Sequence, residues 1–324
     1  MTARSQRTND CPDCRLDISR RSFLQASAAG SLLALTPGLY AAPSASSDAE
    51  TAVGRLFTSL SAEQKKTICF PFEHQLRQRI SANWNITEPT ISQDFYSDEQ
   101  RAIITEIVKG VCSEDGYKRI VEQTDDDSGG IGEYSCAIFG NPQEGKFEWE
   151  LTGRHLTLRA DGNSVEKAAF GGPIVYGHGQ EEPRHNLYHY QTQQTNKLFQ
   201  ALDPKQAEKA LQAKAPRETD VVLRGSDAPF AGIGGKELSD DQKQLVKETL
   251  KVLLAPYREE DVQEVMAILE KIGGVDALHM AFYNQEGSDL DDDKQWDIWR
   301  IEGPRFVWHF RGAPHVHAYI NISA

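Results

Sequence analysis

The sequence predicts an α+β fold in which helices pack on antiparallel β meanders. Three observations carry this. Apolar residues recur at helical spacing in long blocks, they alternate with polar residues in two other blocks, and no strand–helix–strand alternation links the blocks. Helical stretches are expected over residues 51–70, 97–123, 191–213 and 239–271, and strands over 134–160 and 295–322.

Residues 1–45 read as a twin-arginine signal peptide, leaving 46–324 as a single α+β domain. Ser19-Arg20-Arg21-Ser22-Phe23-Leu24-Gln25 is followed by a mild apolar run over 26–40 and by small residues, Ala41-Ala42-Pro43-Ser44-Ala45, that suit a signal peptidase. The run is shorter than the roughly 20 apolar residues a span needs, and Ser, Gly and Pro interrupt it, so no stable membrane anchor is expected. The expected partner during export is the twin-arginine (Tat) translocase, and the expected destination is periplasmic or secreted. Cys11-Pro12-Asp13-Cys14 has redox or half-zinc spacing, but it precedes the arginines and would leave with the leader.

The net charge is −13, and loss of a leader carrying Arg4, Arg7, Arg15, Arg20 and Arg21 against Asp10, Asp13 and Asp17 makes the remainder about −15. Such acidity repels phosphate backbones and anionic lipid, so nucleic acid is excluded as a partner. A small-molecule substrate fits better. Cys69, Cys112 and Cys136 remain, enough for one disulfide and a leftover thiol in an oxidising compartment.

The first helical stretch carries Val53, Leu56, Phe57 and Leu60 on one stripe, and the second carries Ile103, Ile104, Ile107, Val108 and Val111. Asp125-Asp126-Asp127-Ser128-Gly129-Gly130 is expected to stop that second helix. Phe147, Trp149 and Leu151 then alternate with Glu148, Glu150 and Thr152, which reads as a meander. In the last helical stretch Pro256 should divide one helix from the next, and Gly273-Gly274 should end the second. Three strands close the chain, joined at Gly303-Pro304 and Gly312-Ala313-Pro314. No internal repeat is evident.

The final hairpin is the most informative part. Its alternation places Phe306, Trp308, Phe310, Val316, Ala318, Ile320 and Ile322 on one face, with His309, Arg311, His315, His317 and Tyr319 on the other. With a three-residue loop over 312–314, His309 would face His317 and Arg311 would face His315. Opposed Cβ atoms stand about 5 Å apart, so three imidazoles would converge within reach of one transition metal ion, whether copper, iron or zinc. His155 lies on the polar side of Gly153-Arg154-His155-Leu156, and His178 sits between two glycines that would let backbone approach a ligand; either could add a ligand or a base. The alternative is a solvated polar sheet face. Asp289-Leu290-Asp291-Asp292-Asp293-Lys294 resembles the start of a calcium loop, but Lys294 and Arg300 stand where Gly and a bidentate Glu are needed, so a solvated acidic loop is expected.

The chain resembles the domain of unknown function 3500 family, through Leu60-Ser61-Ala62-Glu63-Gln64, Trp84, Pro89, Gln100 and Gly116-Tyr117. Gly153-Arg154-His155-Leu156, Phe170-Gly171-Gly172-Pro173, Trp299-Arg300-Ile301-Glu302-Gly303-Pro304 and His315-Val316-His317 continue the likeness. The family pattern has a second His where Arg154 stands and an acidic residue around His309. The resemblance implies that His155, His315 and His317 share one functional site, and it implies no reaction.

The expected function is that of an exported metalloenzyme. His155, His309, His315, His317 and His178 are its candidate ligands, and Arg311 or Arg159 would stabilise an anionic substrate. Oxidoreductase and hydrolase chemistry both remain open. A non-catalytic periplasmic metal or solute binder is the alternative.

Overall fold

The computed structural model describes residues 42–165, 167–180, 182–285 and 295–324. The leader with its two arginines, Cys11 and Cys14, and the acidic stretch 289–293 therefore lie outside the described residues. Residues 40–324 form one compact unit.

The first half runs α1 (Asp48–Ser59), α2 (Ala62–Ile68), β1 (Cys69–Phe70), α3 (Asp98–Gly110), α4 (Glu114–Ser128), β2 (Ser135–Asn141), β3 (Lys146–Gly153), β4 (Leu156–Ala160) and β5 (Ile174–His178). The second runs α5 (His189–Gln200), α6 (Pro204–Ala210), β6 (Leu211–Gln212), β7 (Ile233–Gly234), α7 (Asp240–Leu254), α8 (Glu259–Lys271), β8 (His279–Tyr283), β9 (Ile298–Gly303), β10 (Phe306–Arg311) and β11 (Val316–Ile322). Helices and a largely antiparallel sheet make this the α+β fold the sequence predicts.

Hydrophilic caps place the helix boundaries. Ser61, Ser97 and Ser239 each accept from a backbone N–H three residues on, and each is closed by a returning Gln. Thus the stretch 51–70 is two helices and a strand, because Ser61 starts a new helix. The stretch 97–123 is likewise divided, at Ser113, which caps α4. Pro256 does separate α7 from α8. The segment Asp125-Asp126-Asp127-Ser128-Gly129-Gly130 does end its helix, through its glycine: α4 continues over the three Asp to Ser128 and is capped at Gly129, whose φ of 83° needs no Cβ.

The sheet order is β1-β2-β3-β4-β5-β11-β10-β9-β8-β6, with β7 also on β8. That order is a palindrome. Trp149 opposes Ile138 and Ala160 as Trp299 opposes Phe282 and Phe310, and Leu156 opposes Tyr176 as Phe306 opposes Ile322. The short strands β1 and β6 each add in parallel at an outer edge. An approximate twofold axis passes where Ile174 and Ile320 face each other across the β5–β11 pair. The capping glutamines obey the same relation. Gln100 Nε2 donates to Ser59 O at 3.1 Å and Gln64 Nε2 to Gln100 Oε1 at 2.9 Å, while Gln242 Nε2 donates to Ala201 O at 2.7 Å and Gln206 Nε2 to Gln242 Oε1 at 3.0 Å.

The protein is thus an internal duplication, which corrects the expectation of no repeat. Leu56-Phe57-x-x-Leu60-x-x-x-Gln64 and Leu198-Phe199-x-x-Leu202-x-x-x-Gln206 do match, as do Ser97-Asp98-x-Gln100 and Ser239-Asp240-x-Gln242. Trp149-x-x-x-Gly153 and Trp299-x-x-x-Gly303 match as well, so the identities are scattered over cap, core and turn positions.

Helices cover one face of the sheet, over two large apolar clusters, one per half. Two chain segments, 71–96 and 213–238, cover the other. Their smaller apolar contacts, Trp84 and Ile86 on Phe139 and Val221 on Val307 and Tyr319, enclose a polar sheet surface. Arg77, Glu148, Glu150 and Arg159 are buried there in the first half, and Arg300, Glu302 and His309 in the second. The polar side of the final hairpin is therefore not a solvated face. Of the cysteines among the described residues, Cys69, Cys112 and Cys136 are free, with Cys112 and Cys136 buried.

Candidate metal centre

Four strands, β4, β5, β11 and β10, end together, and the candidate centre lies at those ends. Arg154 and His155 form the two-residue turn between β3 and β4, since Gly153 pairs with Leu156. His155 has φ 58°, a left-handed conformation that is costly for a residue with a Cβ and common at functional positions. Its N–H donates to Ala82 O at 2.6 Å. His315 and His317 stand at the start of β11, beside Arg311 at the end of β10.

The register of this hairpin differs from the one expected. Arg311 opposes His317, Phe310 opposes Ala318, and His309 opposes Tyr319. Five residues, 312–316, separate the Arg311–His317 pair where three were expected to separate Arg311 from His315, and the last of them, Val316, already pairs with His178 on β5. A shift of two residues keeps every side chain on its own face, which is why the face assignment survived while the pairing did not. His309 is consequently moved away from His317. It is 1% exposed, neither ring nitrogen has a hydrogen-bond partner, and burial together with the Arg300 charge lowers its pKa to about 3.

His155, His315 and His317 form a group that could hold a metal ion, with one ligand atom from each lying within 4.8 Å of the others. His315 Nε2 and His317 Nε2 are 3.0 Å apart. Tetrahedral zinc bound to nitrogen at about 2.0–2.1 Å needs separations of about 3.3 Å, close to the spacing of His315 and His317. Two of the three rings are backed by carboxylates. His155 Nδ1 donates to Asp127 Oδ2 at 2.7 Å, and His317 Nδ1 lies 2.8 Å from Glu218 Oε2. A proton held on Nδ1 by a carboxylate leaves Nε2 with a free lone pair.

Burial lowers the pKa of His315 to about 4, with His317, Arg311, His155 and Arg154 adding to the effect. His317 is lowered by burial despite its bond to Glu218. Both shifts favour the neutral imidazole, the form a metal binds. Burial pushes the carboxyls of Asp127 and Glu218 up, but His155, Gln123 and the Gly179 N–H together at Asp127, and His317, Arg311 and His309 together at Glu218, more than offset this, and both fall below their ordinary values.

Asp127 is held from both sides. Gln123 Nε2 donates to Oδ2 at 2.9 Å and the Gly179 N–H to Oδ1 at 2.7 Å. Gly179 lies close enough to the Asp127 carboxylate and the His155 ring that a Cβ would collide with the carboxylate. The glycines around His178 thus admit the Asp127–His155 pair rather than a ligand. Neither Asp127 nor Glu218 was a sequence candidate. In the sequence Asp127 belongs to the segment that ends a helix, and its one detectable signal is that the acidic run closes an amphipathic helix. Glu218 carries no local signal.

The other candidates fall outside the group. His178 Nε2 is 3.0 Å from Asp126 Oδ2 and its Nδ1 accepts from the Leu187 N–H at 3.2 Å, so both ring nitrogens are engaged. Arg159 lies about 13 Å along the strand from His155, four residues at about 3.3 Å each. It is buried against Glu148, Glu150 at 3.3 Å, Pro173 O at 2.7 Å and Arg77 O at 3.0 Å. That network leaves it no approach to a substrate. Arg311 is the exception: its Nη2 is 2.9 Å from His317 Nδ1 and its Nε 3.1 Å from Glu218 Oε1.

A family model described as protein of unknown function (DUF3500) matches residues 43–320. The chain belongs to that family. Neither a curated protein nor a solved structure matches it. The three histidines of this DUF3500 protein fall within the matched span, and so do Asp127, Glu218 and Arg311.

Proposed function

We propose that this protein is an exported metalloprotein whose His155, His315 and His317 bind one transition metal ion through Nε2. The observation that carries the reading is the pair of carboxylates behind the rings. Asp127 lies against Nδ1 of His155 and Glu218 against Nδ1 of His317, and Nε2 of His317 stands 3.0 Å from Nε2 of His315. Imidazole ligation suits copper, iron or zinc.

Three protein ligands leave a further coordination position open, which favours an enzyme over a closed structural site. Arg311, whose Nη2 lies 3.5 Å from His315 Nε2, would stabilise an anion bound there. Zinc would support hydrolysis, and copper or iron redox chemistry.

Metal analysis of the purified chain tests this. The parent should carry about one ion per chain, whereas His315→Ala and His317→Ala should fall below a tenth of that. Arg305→Ala, at the turn position equivalent to His155 in the other half, should keep it. Equal metal content in all four proteins would sink the proposal.

Export is tested separately. Replacing Arg20 and Arg21 together by Lys should leave unprocessed precursor in the cytoplasm, because the pathway reads the arginine pair itself. Processed protein outside the cytoplasm would refute the assignment.

A further inference from the structure

The centre adjoins an arginine that the rest of the protein does not use. Arg154 precedes His155 in the β3–β4 turn, and its backbone is fixed. Its carbonyl accepts from Tyr134 Oη at 2.6 Å and from Gln123 Nε2 at 3.1 Å, and its main chain bridges to Asn83. Its side chain is exposed, and the guanidinium makes no hydrogen bond or ion pair among the described residues. The neighbouring charges are all matched: Asp127 by His155, Asp126 by His178, and Glu218 by His317 and Arg311.

Its position is specific. A Cβ built on Gly179 would lie 3.2 Å from Arg154 Nη2 and 3.3 Å from His155 Cε1, the ring carbon bonded to the ligating Nε2. The guanidinium and the edge of the ring therefore both approach Gly179, on which the Asp127 carboxylate also closes. A planar guanidinium with its fork of donors recognises a carboxylate by two parallel hydrogen bonds.

Building on the metal reading above, we infer that the ligand of this centre is a short dicarboxylate, with one carboxylate on the ion's open position and the second on Arg154. The first end is drawn by the cation and by Arg311. The second selects for length and charge, because an anion with one acidic group cannot reach both anchors at once. Arg154 is in this account a specificity residue, and it holds no metal.

Cobalt-loaded protein allows a direct test, since its visible spectrum responds to a ligand on the ion and its cobalt content is measured independently. Malonate serves as the two-ended probe, acetate as the one-ended probe, and inorganic phosphate as the competing anion. The parent should bind malonate at least tenfold more tightly than acetate. Arg154→Ala should lose that preference while keeping its cobalt content and its affinity for acetate, and Arg154→Lys should recover part of it. Equal malonate affinity in parent and Arg154→Ala overturns the inference, and so does a parent that prefers phosphate to malonate. A parent that takes up no cobalt overturns the metal reading and this one together, whereas a loaded parent indifferent to malonate overturns this one alone.

Discussion

The strand ends on the two sides of the pseudo-twofold axis carry different chemistry on the same scaffold. At one end stand His155, His315, His317 and Arg311. At the rotated end Arg305 occupies the turn position of His155, Asp161 the place of Arg311, and the turn Ala169–Gly171 the place of residues 315–317. That second end is acidic. Arg258 binds Glu50 through two bonds of 2.8 Å and Asp261 at 2.9 Å, while Asp161 and Glu264 contribute to the same field. The comparison teaches that the duplicated part is what the hydrophobic layers and caps require. Turn residues at strand ends bear little of that packing, so one end could acquire ligands without disturbing the other.

The largest effect should come from the carboxylates behind the histidines. Asp127→Asn and Glu218→Gln keep size and remove charge, and each should weaken metal affinity by about 10–100-fold, as outer-sphere partners do elsewhere. Asp161→Asn, at the rotated end, should leave affinity unchanged. Competition with a chelator measures all three, and a loss with Asp161→Asn as large as with Asp127→Asn would break the distinction between the two ends.

A smaller effect sharpens the likeness of the halves. Gln100 is 5% exposed and Gln242 is half-buried, yet each closes an equivalent cap. Removing either leaves buried polar partners unmet at about 1–2 kcal/mol, with Gln100→Ala at the upper end because less water reaches it. Denaturant unfolding of the two variants should give that order. A negligible cost for Gln100→Ala would mean that the shared glutamines do not support the duplicated frame.

The smallest effect concerns the acidic end. Burial raises the pKa of Glu264 to about 8, with Asp261 and Asp161 adding to it and Arg258 opposing. A carboxyl whose folded pKa lies above its unfolded value binds its proton more tightly when folded. Its stabilising contribution is therefore complete below the ordinary value of 4.5 and is lost as pH rises through the folded value. Glu264→Gln should accordingly match the parent near pH 4 and exceed it at pH 8.5, by about 1 kcal/mol or about 2–4 °C in melting temperature. A variant that loses stability equally at both pH values would show that the carboxylate is needed in its charged form.

Local patterns made much of the scaffold legible. Period-two alternation placed Phe306, Trp308 and Phe310 against the helices, and helical periodicity with Pro256 separated α7 from α8, because each such signal is written within a few consecutive residues. The strands missed, β1, β5, β6, β7 and β8, are short or lie in stretches such as His279–Tyr283 that are apolar without alternation. Buried between neighbours, those residues need no polar side.

For the centre, the sequence alone determined that His315 and His317 share one side of a strand; it read His155 onto a strand face, whereas His155 sits in the turn before β4. The family likeness drew the three together. Tertiary structure decided the rest. The hairpin register, with five residues between Arg311 and His317, moved His309 away from His317. The segment 213–238 buried the polar face and delivered Glu218 to His317. Helix α4 carried Asp127 across to His155. Those pairings join residues 28 and 99 positions apart, and long-range contacts of that kind arise from how layers pack rather than from any pattern within one element.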